Sequence, residues 1–214
     1  MPTIVCYGDS NTWGAVPQPY RGAGGRFARA DRWLGVLRAS LHGFEVIEEG
    51  LNGRTTCRDD PVEGSHKNGA RFLQVVLETH APLDLLIIML GTNDLKARLT
   101  MQAGDIADGA GLLVDIARRS TAGPDGVAPA VLLVCPAPLA EPTWLAEMFE
   151  GGVTKSRKLA GEMMRVAGER KIHFLDAGKV ISSSKEDGIH LDRDAHTKLG
   201  TALADLVPRI IPRT

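Results

Sequence analysis

The chain has 214 residues, of which 43% are hydrophobic and 24% charged, and its formal net charge of −1 gives no basis for a nucleic acid partner. Its length suits a single domain spanning residues 1–214, and its three scattered cysteines are too few for a disulfide framework or a metal site. No apolar run approaches the length of a membrane span and no leader precedes the first strand, so we expect a cytoplasmic protein without a membrane partner.

Short apolar runs alternate with amphipathic stretches along the chain. The runs are rich in Ile, Val and Leu without polar alternation, which is typical of strands covered on both faces of a sheet. In chain order we predict a strand at 3–7, a helix at 31–41, strands at 44–48 and 83–90, a helix at 105–119, a strand at 130–135, a helix at 155–170, a strand at 172–175 and a helix at 194–207. This alternation predicts a doubly wound, parallel α/β sheet.

Polar or glycine-containing turns follow three of the predicted strands. Ser10 lies in GDSNTWG after the first strand, Gly53 in GLNGR after the second, and Asn93 in GTND after the third. Ligands of open α/β sheets bind beyond the carboxyl ends of the strands. We therefore expect these three residues to meet at one edge of the sheet.

A nucleophilic serine needs a histidine base and an acceptor that orients the imidazole. Among the six histidines, His190 stands out because Asp187 lies three residues before it, across a glycine, in a loop after the fifth strand. This spacing lets the carboxylate reach one ring nitrogen and leaves the other to face Ser10. The backbone N–H groups of Ser10 and Gly53 and the side-chain amide of Asn93 can donate to an oxyanion.

Each of these residues also has a purely structural explanation. Ser10 or Asp9 could cap a helix, and Asn93 could form a turn. A non-catalytic, flavodoxin-like module that binds an anion at the Ser10 turn is therefore an alternative. It is disfavoured because the chain lacks both common phosphate-binding glycine motifs and because Asp187 and His190 would have no role. The same intact residues argue against a catalytically dead scaffold.

Four sequence blocks resemble those of the SGNH (GDSL) hydrolase family, in the family's order. They are GDS at residues 8–10, Gly53, GTND at 91–94 and DGIH at 187–190. The stretches EEGLNGRTT at 48–56 and LDLLIIMLGTND at 83–94 are similar to the bacterial arylesterase/acyltransferase branch of the family. The resemblance implies the flavodoxin-like SGNH fold, a three-layer α/β/α sandwich with a five-stranded parallel sheet, and neither a metal nor an organic cofactor.

The same resemblance implies a serine esterase that hydrolyses short-chain acyl or aryl esters through an acyl-enzyme intermediate. Ser10 would be the nucleophile, His190 the base and Asp187 its orienting acceptor, with Ser10, Gly53 and Asn93 as oxyanion donors. Acyl transfer to alcohols is a further expectation for this branch. A carbohydrate O-deacetylase, similar to acetylxylan esterases, is the main alternative because it needs the same residues and only a different pocket.

Five residues are predicted as walls of the pocket for a small-molecule ester: Trp13, Arg54, Trp144, Met148 and Phe149. The first two flank the chemical residues, and the other three lie in the loop at 142–152 beyond the fourth strand. Their spacing of four and five also fits packing in the core or between subunits. These apolar loop residues and the family resemblance together predict a homo-oligomer.

Overall fold

A five-stranded parallel sheet forms the centre of the computed structural model, which describes residues 1–211. The strands are β1 (Thr3–Gly8), β2 (Glu45–Gly50), β3 (Leu85–Met89), β4 (Ala130–Cys135) and β5 (His173–Asp176). They pair in the order β2-β1-β3-β4-β5. The connection from β1 runs to β2 on one side and the connection from β3 runs to β4 on the other, so the gap between the ends of β1 and β3 is the point where an open sheet of this kind binds ligands.

Helices cover both faces of the sheet and complete a three-layer α/β/α sandwich. They are α1 (Ser10–Trp13), α2 (Trp33–Ser40), α3 (Gly69–Thr79), α4 (Ala103–Arg119), α5 (Gly152–Arg170) and α6 (Arg193–Ile210). Helices α2 and α6 pack on one face, and α3, α4 and α5 pack on the other. The predicted fold class is confirmed.

The central strands β1, β3 and β4 have nearly unbroken apolar sequences because both of their faces are buried, whereas most residues of the edge strands β2 and β5 are only half-buried. In β1, Val5 and Tyr7 enter the core beneath α3, α4 and α5, whereas Ile4 and Cys6 enter the core beneath α2 and α6. All four side chains are fully buried. Successive residues of a strand point to opposite faces of the sheet. A strand with helices packed on both faces therefore needs apolar residues at successive positions.

Apart from shifts of up to three residues at the ends of other elements, the structure differs from the sequence-based prediction as follows. Helix α3 was not predicted, and it begins at a cap in which Asn68 Oδ1 accepts a hydrogen bond from the backbone N–H of Ala70. Helix α6 continues through Pro208 to Ile210. His173 was assigned to a buried strand, but β5 lies at the sheet edge and His173 is exposed. Within residues 1–211, no helix has the length and apolar character needed to cross a membrane.

Candidate active site

Ser10 is the first residue of α1 and follows β1 by a single residue. The helix cap is Asp9, whose Oδ1 accepts a hydrogen bond from the backbone N–H of Asn11 at 2.9 Å. A Cβ on Gly8 would lie 2.0 Å from Thr12 Oγ1, so the tight return of the chain into α1 requires glycine. Because Asp9 caps the helix, the Ser10 hydroxyl is left for other contacts.

The Ser10 hydroxyl begins a chain of hydrogen bonds that ends at a buried carboxylate. Ser10 Oγ lies 3.1 Å from His190 Nε2, and His190 Nδ1 lies 2.6 Å from Asp187 Oδ2. Both distances are within the range expected between a nucleophile, its base and the group that orients the base. The structure therefore brings together the three residues that sequence analysis assigned to nucleophilic catalysis.

Asp187 is fully buried and is held by backbone donors as well as by the imidazole. Its Oδ1 accepts from the N–H groups of Ile189 and His190, each at 2.9 Å, and its Oδ2 also accepts from the N–H of Gln18 at 2.8 Å. Burial by itself raises the pKa of this carboxyl, but the hydrogen bonds and the charge of His190 outweigh it and lower the pKa to about 2. Asp187 is consequently an anion at any pH near neutral.

Asn11 connects the first helix to the His190 loop, a role that sequence analysis missed. Its side-chain amide donates to the carbonyl of Ile189 at 3.3 Å, and its Oδ1 accepts from the backbone N–H of Leu191 at 3.1 Å. These two bonds bracket His190 and hold its ring beside Ser10. Nothing in the local sequence distinguishes Asn11 from an ordinary helix residue, because its partners lie at the other end of the chain.

Three donors surround the space in front of Ser10. The backbone N–H groups of Ser10 and Gly53 donate to no acceptor within the described part of the chain. Gly53 has a φ of +79°, a conformation that favours glycine. Asn93 Nδ2 donates one hydrogen to the carbonyl of Arg54 at 3.2 Å, which orients the amide and leaves its second hydrogen. Such a set of donors can bind an oxyanion.

Asp94 joins the segment that carries Asn93 to the segment that follows Gly53. Its carboxylate accepts from the backbone N–H of Thr56 at 3.0 Å and from the Thr56 hydroxyl at 2.6 Å. Burial raises the pKa of Asp94 to about 6, although the hydrogen bonds from Thr56 oppose that change. Asp94 was not predicted as a site residue, yet the contacts of Asp94 fix the relative positions of the side-chain donor Asn93 and the backbone donor Gly53.

A cavity of about 230 Å³ opens over Ser10 and His190. Its apolar wall includes three of the predicted pocket residues, Trp144, Met148 and Phe149. The remaining lining residues are Ala15, Gln18, Asn52, Gly53, Glu63, Asn93, Lys96, Leu145 and Ile189. Phe149 is also buried in the core on the α4 and α5 side of the sheet, so it serves both of the roles that its spacing allowed.

Trp13 and Arg54 do not line this cavity, and the prediction that they do is corrected. The Arg54 guanidinium stacks 4.0 Å above the Tyr7 ring and donates to the carbonyls of Gly8 and Glu49, at the ends of β1 and β2. The cation–π contact and the hydrogen bonds to these two carbonyls hold the side chain inward. The Trp13 ring instead packs beneath the Arg26 guanidinium at 4.6 Å.

Among residues 1–211, no group of three or more His, Cys, Asp or Glu side chains is arranged to hold a metal ion. The geometry around Ser10 suits transfer of an acyl group to a serine hydroxyl, with proton transfer by an adjacent imidazole.

Comparisons with known proteins agree with this geometry. The model of the GDSL-like Lipase/Acylhydrolase family matches residues 6–198. A search of curated protein sequences finds no match. Among solved structures, native M. smegmatis aryl esterase is 45% identical in sequence to this chain. The two structures match with a TM-score of 0.94, and the match covers 99% of this chain and 100% of that one.

Two further solved structures from Sinorhizobium meliloti are similar over the whole chain. Est24, described as a carbohydrate acetylesterase, is 39% identical with a TM-score of 0.93, and the match covers 99% of this chain and 100% of Est24. A carbohydrate acetylesterase family member is 41% identical with a TM-score of 0.91, and the match covers 100% of both chains.

Proposed function

The chain belongs to the GDSL-like lipase/acylhydrolase family and is a carboxylic ester hydrolase, and we propose that Ser10 is its nucleophile, with His190 as base and Asp187 as orienting acceptor. One observation carries the proposal: a continuous hydrogen-bonded path of 3.1 and 2.6 Å leads from Ser10 Oγ through His190 to the buried Asp187. A module that only bound an anion would have no need of an ionised carboxylate behind the imidazole.

In the acylation step, Ser10 Oγ attacks the ester carbonyl carbon while His190 Nε2 takes the hydroxyl proton. Negative charge develops on the carbonyl oxygen, where the N–H groups of Ser10 and Gly53 and the amide of Asn93 donate hydrogen bonds. The charge of Asp187 stabilises the imidazolium. The bond to the leaving oxygen then breaks, the alcohol takes the proton from His190, and the acyl group remains on Ser10.

In the deacylation step, water repeats this chemistry on the acyl-enzyme. His190 takes a proton from water as its oxygen attacks the acyl carbon, and it returns that proton to Ser10 as the acid leaves. An alcohol that replaces the water would give acyl transfer by the same atoms, and we propose this as a secondary activity. Ala15 lines the cavity, and its small side chain takes up little of the space that such an acceptor would need.

The size of the cavity supports short-chain acyl or aryl esters as substrates. A volume of about 230 Å³ is smaller than the range of roughly 300–1,000 Å³ that is usual for drug-sized ligands. A carbohydrate O-deacetylase is the second candidate, favoured by the charged side chains of Glu63 and Lys96 in the cavity wall and by the names of the two Sinorhizobium relatives. A homo-oligomer and a cytoplasmic location stay predictions from the sequence.

Ser10→Ala tests the assignment of the nucleophile. Loss of the nucleophile in a triad lowers kcat by about 10⁶-fold in the subtilisin example, so we expect p-nitrophenyl acetate hydrolysis to fall to the background rate. The unfolding free energy should change by no more than about 1 kcal/mol because the cap is Asp9 and only one hydrogen bond is lost.

Ser40→Ala is the matched control for this test. Ser40 is an exposed serine at the end of α2 whose hydroxyl bonds only the carbonyl of Val36. The control should keep the parent kcat/KM. A Ser10→Ala protein that is folded and retains more than a hundredth of the parent activity would contradict the proposal.

A further inference from the structure

The wall of the cavity opposite the apolar residues is built from paired charges. Glu63 Oε1 accepts hydrogen bonds from Lys96 Nζ at 2.5 Å and from Arg98 at 2.8 Å. Both cations also bond the carboxylate of Asp60, at 3.2 and 2.7 Å. Asp60 and Lys96 are almost fully buried, so this network holds the Glu63 carboxylate in one position.

The second oxygen of Glu63 is not used by the network. Glu63 Oε2 has no hydrogen-bond partner among residues 1–211. A Cβ on Gly53 would lie 2.1 Å from this oxygen, so Oε2 rests directly against Gly53, whose N–H is a proposed oxyanion donor. The Glu63 side chain is 32% exposed and lines the same cavity as Ser10. An unpaired acceptor therefore faces the place where the ester is expected to bind.

The charge balance makes a carboxylate acceptable at this position. Glu63 and Asp60 carry two negative charges, and Lys96 and Arg98 carry two positive charges, all joined within hydrogen-bonding distance. The network as a whole is neutral and adds little net repulsion to an oxyanion at Gly53. Glu63 Oε2 differs from the rest of the network in its hydrogen-bonding capacity, because it can accept hydrogen bonds but cannot donate them.

We propose that Glu63 Oε2 accepts a hydrogen bond from a hydroxyl group that the substrate carries close to its ester, so that the enzyme prefers hydroxylated esters, such as monoesters of vicinal diols and polyols, to apolar esters of equal size. This inference rests on the proposed function of Ser10. Because Oε2 touches Gly53, the hydroxyl that reaches it must be attached within a few bonds of the reacting carbonyl. An alkyl group in the same place would displace water from Oε2 and leave a charged acceptor unpaired.

The experiment compares substrates of equal heavy-atom number that differ by one hydroxyl. 2-Hydroxyethyl acetate is matched with propyl acetate, which places the hydroxyl on the alcohol portion. Ethyl glycolate is matched with ethyl propanoate, which places it on the acyl portion. Each kcat/KM is divided by the rate constant for hydroxide-catalysed hydrolysis of the same ester, so that intrinsic reactivity cancels. The wild-type protein should favour the hydroxylated member of at least one pair by about tenfold or more.

Glu63→Gln reverses the hydrogen-bonding character of the group that faces the cavity. Lys96 and Arg98 can only donate, so the glutamine carbonyl oxygen should stay with them and the amide NH₂ should take the place of Oε2. The hydroxyl preference measured with the favoured pair should then fall by about tenfold. Glu162→Gln removes the same charge from an exposed position on α5 and should leave the preference as it is in the wild type.

If the ratio of corrected kcat/KM values for the hydroxylated and apolar ester is near one in both pairs for the wild type, the inference is overturned without any variant. A preference that persists unchanged in Glu63→Gln would overturn it as well. Failure of the proposed function has a different signature, because a wild-type protein that hydrolyses none of the four esters nor p-nitrophenyl acetate, or a Ser10→Ala protein as active as its parent, would remove the reaction itself.

Discussion

Asp187→Asn preserves the shape of a side chain while changing what it can bind. The carboxylate accepts four hydrogen bonds, from the backbone N–H groups of Gln18, Ile189 and His190 and from the His190 ring. An asparagine side chain has one acceptor oxygen and one NH₂ group. Whichever way the amide turns, its NH₂ group must face donors that the carboxylate satisfied.

The hydrogen bonds around residue 187 predict which donors lose their acceptor in Asp187→Asn. If the amide oxygen keeps the N–H groups of Ile189 and His190, the amide nitrogen faces Gln18 N–H and His190 Nδ1. The imidazole can remove the clash between two donors by moving its proton from Nδ1 to Nε2. Nε2 then donates to Ser10 and cannot take the serine proton. The equivalent change in another triad lowers kcat by about 10⁴-fold, which corresponds to a barrier increase of about 5 kcal/mol.

The N–H of the half-buried Gln18 loses its carboxylate acceptor. Loss of a hydrogen bond to a charged group lowers the unfolding free energy by about 1.5–3 kcal/mol. For a chain of this size, each kcal/mol lowers Tm by about 2–4 °C. Asp187→Asn should therefore be folded, moderately less stable and nearly inactive.

Steady-state kinetics with p-nitrophenyl acetate and urea unfolding on the same preparation measure both effects. Asp176→Asn is the matched control, because Asp176 caps a short helical turn by accepting from the N–H of Gly178 and asparagine can do the same. The control should keep kcat/KM within about twofold, a barrier change below roughly 0.5 kcal/mol. A folded Asp187→Asn protein within tenfold of its parent would refute the argument from the His190 tautomer.

Two other substitutions test Asn93 at the candidate site and the buried His196. Asn93→Ala should lower the single-turnover acylation rate by about 10²- to 10³-fold if its amide binds the oxyanion; a rate near the parent value with a reduced Tm would show instead that Asn93 only shapes the turn. His196 is buried, and burial first and Arg32 second lower its pKa to about 4. The unfolded chain therefore takes up the proton before the folded one, and stability is lost as the pH falls from about 6.5 towards 4. The wild type should lose about 2–3 kcal/mol more unfolding free energy than His196→Asn between pH 7 and 4.5, and equal losses in urea titrations would contradict this assignment.

The sheet and the meeting of the candidate catalytic groups were predictable from the sequence for a simple reason. Parallel strands buried on both faces have unbroken apolar sequences, and their carboxyl ends share one edge. This placed Ser10 and Asn93 together although 83 positions separate their numbers in the chain. Asp187 and His190 could be recognised because their contact is local, across three positions.

The cavity walls were less predictable because they depend on contacts between distant segments. Arg54 follows Gly53 directly, yet its guanidinium turns away towards Tyr7 and the strand ends. Glu63 belongs to a polar loop with no motif, and it reaches the cavity through cations that lie 33 and 35 positions later. Helix α3 was not predicted because its apolar pattern is weak: among its large side chains, only Leu73 and Leu77 are fully buried.

The contact between Ser10 and His190 spans 180 positions, almost the whole length of the chain. During synthesis at about 5–20 residues per second, Ser10, the proposed nucleophile, is made on the order of ten seconds or more before His190, its proposed base. On the proposed assignment, the growing chain carries a serine without the imidazole that would take its proton. Asn11, whose side-chain amide bonds the residues on either side of His190, joins two segments that are made far apart in time. We therefore expect hydrolytic activity only after the segment that carries His190 has been made and has folded against Ser10.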